Sequence, residues 1–119
     1  MKQLADQYHL SIVTNGIADV QHPRLEKSSL LTYIKAVFVS EEVGSQKPEP
    51  SFFEHIFDKL SIRNKSEAII IGDSLTADIT GGINAGIDTC WYNPQGVRNT
   101  TQIRPTYEVS SYDQLLDLF

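Results

Sequence analysis

Cysteine, tryptophan and methionine are nearly absent from this chain, and each occurs once among its 119 residues. A single cysteine, Cys90, cannot form an internal disulfide, which favours a reducing compartment; we expect it to be a buried strand residue. The unbroken apolar runs are only a few residues long, so the sequence shows neither a membrane span nor a signal peptide. We therefore expect a cytoplasmic protein with no membrane partner.

Positive charge is also scarce. The chain has 10 Lys and Arg residues and 15 Asp and Glu residues, which gives a formal net charge of −5. Binding to phosphate backbones calls for clustered Lys and Arg, so this balance argues against nucleic acid as the main partner. The hydrophobic content of 40% is enough for one modest α/β domain, which we assign to residues 1–119.

The stretch Ala-Ile-Ile-Ile-Gly-Asp at residues 68–73 predicts a strand, a sharp turn and an acidic side chain in succession. Its apolar run, residues 68–71, is typical of a strand that is buried on both faces. Asp73 then stands at the carboxyl end of that strand, where open α/β sheets bind ligands. A carboxylate there is suited to Mg²⁺, which prefers oxygen ligands. The alternative is that Asp73 only caps the next helix and that Asp78 is solvated.

The rest of the chain alternates between strand and helix patterns, which predicts a parallel sheet. We expect the other strands at residues 11–14, 36–39, 89–92 and 107–109. We expect helices over residues 2–8, 18–34 and 50–60. Pro50 suits the first turn of the third, whose apolar stripe consists of Phe52, Phe53, Ile56, Phe57 and Leu60. A further helix should carry Leu75, Ile79 and Ile83 and end at Gly86, and a last one should follow the Ser111–Gln114 capping box with Leu115, Leu116 and Phe119 on its buried side. Residues 40–50 and 97–106 are predicted loops.

Two further polar residues are candidates for a phosphate site. Thr14 follows a predicted strand, and its hydroxyl either belongs to a turn or binds a phosphate together with the backbone N–H groups that follow. Lys47 is the one cation in a loop that also carries Glu41, Glu42 and Glu49. It is either a solvated surface charge or a fixed counter-charge.

Taken together, three short motifs resemble the haloacid dehalogenase (HAD) superfamily of phosphohydrolases. Residues 12–16 (Ile-Val-Thr-Asn-Gly), Lys47-Pro48, and Gly72-Asp73-Ser74 through Asp78 are similar in order and spacing to its second, third and fourth motifs. Residues 39–53 resemble its pyrimidine 5′-nucleotidase branch. The resemblance implies a three-layer, Rossmann-like α/β core with a parallel sheet.

The resemblance also implies a role for each motif residue. Thr14 and the backbone N–H of Asn15 would hold the phosphoryl oxygens, and Lys47 would neutralise both the phosphate and an aspartate nucleophile. Asp73 would bind Mg²⁺, and Asp78 would support that site or orient Lys47. The implied substrate is a phosphorylated small molecule, in particular a nucleoside 5′-monophosphate.

The family's first motif, Asp-x-Asp-x-Thr or Asp-x-Asp-x-Val, does not occur in these residues. The nucleophile and the main Mg²⁺ carboxylate belong to that motif, and the cap domain follows it. We therefore expect a partial core domain that is inactive alone and lacks the first-motif strand and the cap. That strand would lie between strands 11–14 and 68–71, so a dimer or a partner could supply it.

Three functions are compatible with these residues. The first is a magnesium-dependent phosphatase of which this is a partial chain. The second is a truncated, non-catalytic module that binds a phosphate or a partner. The third is a receiver-like signalling domain, which is the weakest because its acidic pair should follow the first strand of the sheet.

Overall fold

The computed structural model describes residues 8–15 and 36–118. The chain divides into two compact units, residues 1–46 and residues 47–119. The predicted helix over residues 18–34 lies outside the described residues, as do residues 2–7 of the predicted amino-terminal helix. Phe119, expected on the buried side of the last helix, also lies outside them.

The first unit contains a parallel pair of strands. β1 (Ser11–Thr14) pairs with β2 (Ala36–Val39), and Thr14 lies opposite Val39 in the register. Both strands were predicted, and both are confirmed.

The prediction of a loop over residues 40–50 is wrong for its first residues. A short helix, α1 (Ser40–Val43), follows β2 directly. Glu41 and Glu42 lie in its first turn, where negative charge is favourable to the helix dipole. Gly44 ends the helix after one turn: its N–H still donates to the Ser40 carbonyl at 2.9 Å, and its left-handed φ of 87° then turns the chain out of the helical path.

The second unit begins with the aromatic helix that the sequence predicted. α2 (Pro50–Leu60) has proline at its amino end, where the missing N–H costs no hydrogen bond. Its inner face is fully or nearly buried and consists of Phe52, Phe53, Ile56 and Phe57. The rings of Phe52 and Phe53 meet edge to face with centroids 5.6 Å apart. A short 3₁₀ helix (Lys65–Glu67) then leads into the sheet.

Three parallel strands form the sheet of the second unit: β3 (Ile69–Gly72), β4 (Asp88–Tyr92) and β5 (Tyr107–Val109), in that order. The prediction that residues 68–71 are buried on both faces is wrong. Neighbouring side chains point to opposite faces of a strand, and while Ile70 is 6% exposed, Ile71 is 39% exposed. No described residue covers the face on which Ile71 lies well enough to bury it.

The helix behind β3 begins with a π turn. Leu75–Ile79 is π-helical and continues as α3 (Thr80–Ala85), which ends at Gly86 as predicted. A π turn contains more residues per turn than an α-helix, so it rotates the residues that follow it. The predicted stripe does not extend to Ile83, which lies in the α-helical part and is 47% exposed, whereas Ile79 is fully buried.

The last described element is α4 (Tyr112–Leu118), with Leu115 buried. The predicted capping box is confirmed in one half, because the Gln114 N–H donates to Ser111 Oγ at 3.2 Å. The Gln114 side chain accepts from the Ser110 N–H, one residue earlier than predicted. Among the helices of residues 8–15 and 36–118, none has the length and apolar character needed to cross a membrane.

Candidate active site

Lys47 and Asp78 form a nearly buried ion pair in the second unit. Lys47 Nζ lies 2.5 Å from Asp78 Oδ1, and each side chain is 10% exposed. The other carboxylate oxygen, Asp78 Oδ2, accepts the Ser74 N–H at 3.2 Å. Asp78 therefore joins the loop before α2 to the turn after β3, and Lys47 is a fixed charge rather than a solvated one.

The Asp78 carboxylate occupies space that only a glycine at position 72 leaves open. A Cβ atom added to Gly72 would overlap the Asp78 side chain. Ser74 holds the same turn from its other side, since its hydroxyl accepts the Ala77 N–H at 3.0 Å and its carbonyl accepts the Asp78 N–H at 2.9 Å. The position of the carboxylate is thus set by the local backbone.

A second glycine allows α3 to approach the Lys47 loop closely. A Cβ atom at Gly81 would overlap the Phe53 ring and would lie 3.3 Å from the Cα of Pro48. The Lys47–Pro48 peptide bond is cis. Because Gly81 has no side chain, the segment that carries Lys47 and Pro48 can lie against α3.

Asp73 differs from Asp78 in its surroundings. It follows the last residue of β3, and its side chain is exposed. With the residues that the structure describes, its carboxylate makes no hydrogen bond or ion pair. Its backbone carbonyl, in contrast, accepts the indole N–H of Trp91 at 3.0 Å. The backbone carbonyl of Asp73 is thus fixed by a hydrogen bond from Trp91, whereas its carboxylate is exposed to solvent.

The donor set fits Mg²⁺ only in part. Within residues 8–15 and 36–118, no three His, Cys, Asp or Glu side chains come together as a metal-binding group. The open carboxylate of Asp73 suits Mg²⁺ as one ligand, because proteins usually hold this ion through one or two carboxylates, with water and substrate phosphate completing the shell. The Asp78 carboxylate is already engaged by Lys47 and Ser74. Further protein ligands would have to lie outside the described residues.

Thr14 and Asn15 belong to the first unit. Thr14 is the last residue of β1, is half-buried, and donates its hydroxyl to the Asn15 carbonyl at 3.2 Å. The structure thus brings Lys47 and Asp78 together, with Asp73 one residue before Ser74. That Thr14 and Asn15 share a phosphate with them stays a prediction.

Sequence reasoning assigned no role to three residues that shape this site: Ser74, Gly81 and Trp91. Ser74 could have been found, because a serine before a helix is a common amino-terminal cap. The Gly81-Gly82 pair inside a helical pattern was a signal of close packing. The contact between Trp91 and Asp73 had no local signal, since the two residues are 18 positions apart.

The second unit is thus a parallel α/β fold that carries a lysine–aspartate pair and an open carboxylate directly after a strand. The family model "Haloacid dehalogenase-like hydrolase" matches residues 1–92. The chain therefore belongs to the haloacid dehalogenase-like hydrolases, as its motifs predicted. This membership decides against the receiver-like alternative.

Similar proteins agree with this assignment. Pyrimidine 5′-nucleotidase PynA of Streptococcus pneumoniae is 52% identical over 110 residues, which cover 92% of this chain and 46% of PynA. Pyrimidine 5′-nucleotidase YjjG of Escherichia coli is 38% identical, over 92% of this chain and 48% of YjjG. The chain spans about half the length of the curated relatives it matches.

The predicted fold class is confirmed by solved structures. The magnesium-bound HAD-hydrolase YfnB of Bacillus subtilis matches with a TM-score of 0.93 and 44% identity, covering 98% of this chain and 51% of YfnB. A HAD phosphatase from Thermococcus onnurineus matches with a TM-score of 0.88 and 31% identity, covering 98% of this chain and 53% of that one.

Proposed function

We propose that this chain is part of a Mg²⁺-dependent phosphohydrolase that acts on nucleoside 5′-monophosphates. The observation that carries the proposal is the Lys47–Asp78 pair, which is bonded to the N–H of Ser74, the residue directly after the open carboxylate of Asp73. The names of PynA and YjjG, both pyrimidine 5′-nucleotidases, support this substrate class.

The geometry of the pair suits phosphoryl transfer. This reaction needs little covalent chemistry from the protein beyond positioning and the neutralisation of charge on the phosphoryl oxygens. Asp78 holds the Lys47 ammonium, and the side chains of both residues are only 10% exposed, so the charge would need little reorganisation when a phosphate arrives. Thr14 and the Asn15 N–H would hold phosphoryl oxygens, as the family resemblance implies.

The nucleophile would be an aspartate outside these 119 residues, since the first motif does not occur among them. Its carboxylate would attack the phosphorus and expel the nucleoside, leaving an aspartyl-phosphate. Water would then cleave that bond, release inorganic phosphate and restore the carboxylate. Asp73 would contribute one ligand to Mg²⁺, which when bound neutralises charge on the phosphate.

Residues 1–119 would accordingly form one partial core domain. A neighbouring segment or a separate polypeptide would supply the missing first-motif strand. The cytoplasmic location expected from the single cysteine stays a prediction.

The test is a complementation assay. We expect the purified 119-residue chain to release no phosphate from nucleoside 5′-monophosphates in the presence of Mg²⁺. Co-expression with the part of PynA that this chain does not match should produce Mg²⁺-dependent phosphate release. Asp73→Ala should abolish that activity, whereas Asp117→Ala, at an exposed position of α4, should leave it unchanged.

Two results would contradict the proposal. Mg²⁺-dependent hydrolysis by the 119-residue chain alone, lost in Asp73→Ala, would place the nucleophile within this sequence. A stable complex with the PynA part that binds phosphate but hydrolyses nothing would favour the non-catalytic binding module.

A further inference from the structure

We propose that Trp91 is a positioning residue for Asp73: its indole N–H holds the Asp73 backbone carbonyl and thereby sets where the carboxylate stands for a divalent cation. This inference rests on the proposed function, because it assumes that Asp73 binds the cation. It adds a residue to which none of the family motifs above assigns a role.

The anchor is a rigid one. Trp91 lies in β4, the middle strand of its sheet, which pairs with β3 on one side and β5 on the other. Its side chain is 5% exposed, and its indole nitrogen lies 3.0 Å from the Asp73 carbonyl oxygen. A buried indole N–H normally finds an acceptor, and here the acceptor is the backbone of the candidate metal ligand.

Asp73 needs such an anchor because of its place in the chain. The pairing of β3 with β4 ends at Gly72, opposite Trp91, so Asp73 lies one residue beyond the register. Its exposed carboxylate is held by no described side chain. A carboxylate with only two rotatable bonds follows its backbone, so a bond that fixes the Asp73 carbonyl also limits where the carboxylate can stand.

The expected size of the effect follows from other metal sites. Groups that orient a ligand without touching the metal change metal affinity by about 10- to 100-fold when they are removed. Because the indole bond acts through the backbone rather than on the carboxylate itself, we expect the lower end of that range, about tenfold.

The chain offers a direct probe, since Trp91 is its one tryptophan and gives a single indole N–H signal in a ¹H–¹⁵N spectrum. With only this chain ¹⁵N-labelled in its complex with the part of PynA that it does not match, we expect MgCl₂ to shift this signal and the Ser74 amide signal saturably. Both shifts should vanish in Asp73→Asn, which keeps the size of the side chain but removes its charge.

Two substitutions test the indole N–H itself. Trp91→Phe removes the donor together with some volume. Replacing Trp91 by benzothienylalanine removes only the donor and keeps the shape, so it remains informative if Trp91→Phe does not fold. Each should raise the Mg²⁺ dissociation constant, followed at the Ser74 amide, about tenfold. Tyr92→Phe is the control, because Tyr92 is the next residue of β4 and points to the opposite face.

The outcomes separate this inference from the proposed function. Saturable Mg²⁺ shifts at Ser74 with an unchanged affinity in both Trp91 variants would overturn the positioning role and leave the proposed metal ligand intact. An equal loss of affinity in Tyr92→Phe would also overturn it. The absence of any saturable shift at Ser74 would overturn the inference together with the metal part of the proposed function.

Discussion

The ammonium of Lys47 lies 2.5 Å from the carboxylate of Asp78, and both side chains are 10% exposed although they come from segments 31 residues apart. A second ion pair, Lys65 with Glu54, is looser at 3.8 Å, and its side chains are 49% and 66% exposed. The two pairs have the same charges but different surroundings. They therefore form an internal comparison for the effect of burial.

We expect Lys47→Ala to destabilise the chain by about 3–5 kcal/mol, because it leaves the Asp78 charge buried without its partner. Lys65→Ala should cost less than about 1 kcal/mol, as exposed pairs do. The measurement is the free energy of unfolding from urea titration of each variant.

A double-mutant cycle tests the cause of that loss. Asp78→Asn removes the orphaned charge, so Lys47→Ala should cost much less in an Asp78→Asn background than in the native chain. Equal costs in the two backgrounds would show that the loss comes from packing of the lysine stem rather than from the ion pair.

In the complemented enzyme, Lys47→Ala should lower kcat/KM. The loss of transition-state stabilisation should be about 3 kcal/mol, which is typical when a preorganised charge partner is removed. Lys47→Arg should recover little, because a broad planar guanidinium does not replace a compact ammonium in a closed site. Thermal melts must show that each variant is folded. Near-normal turnover in folded Lys47→Ala would remove the lysine from the proposed mechanism.

The two site glycines give a prediction about packing. We expect Gly72→Ala and Gly81→Ala each to destabilise the chain by about 1–3 kcal/mol, because the new methyl overlaps the Asp78 carboxylate in one case and the Phe53 ring in the other. Asn84→Ala is the control at an exposed position of α3 and should be neutral or slightly stabilising. A stabilising effect of Gly81→Ala in urea titration would mean that α3 can move away from the Lys47 loop at no cost.

Cys90 gives a prediction about pH. Burial raises the pKa of its thiol, so the fold favours the neutral form. The stability from this group is present below the ordinary thiol pKa of about 8.5 and is lost as the pH rises above it, because the unfolded chain then releases the proton more readily. The unfolding free energy should fall more steeply between pH 7 and about pH 9.5 in the native chain than in Cys90→Ala. Parallel curves would contradict this.

Much of the site was visible in the sequence because its signals are local. The apolar run before Gly72 predicted β3, and the position of Asp73 directly after it predicted an acidic residue at the end of a strand. Pro50 and the aromatic stripe predicted α2, and Gly86 predicted the end of α3. These features depend on backbone preference and on side-chain period, which neighbouring residues fix between them.

The tertiary structure decided which distant residues meet. The sequence left Lys47 open between a solvated charge and a fixed one, and only the approach of its loop to α3 makes it the partner of Asp78. The exposure of Ile71 and the bond from Trp91 to Asp73 likewise depend on which strands neighbour β3 and β4. Such contacts join segments through space, and local preferences carry no information about the path of the chain between them.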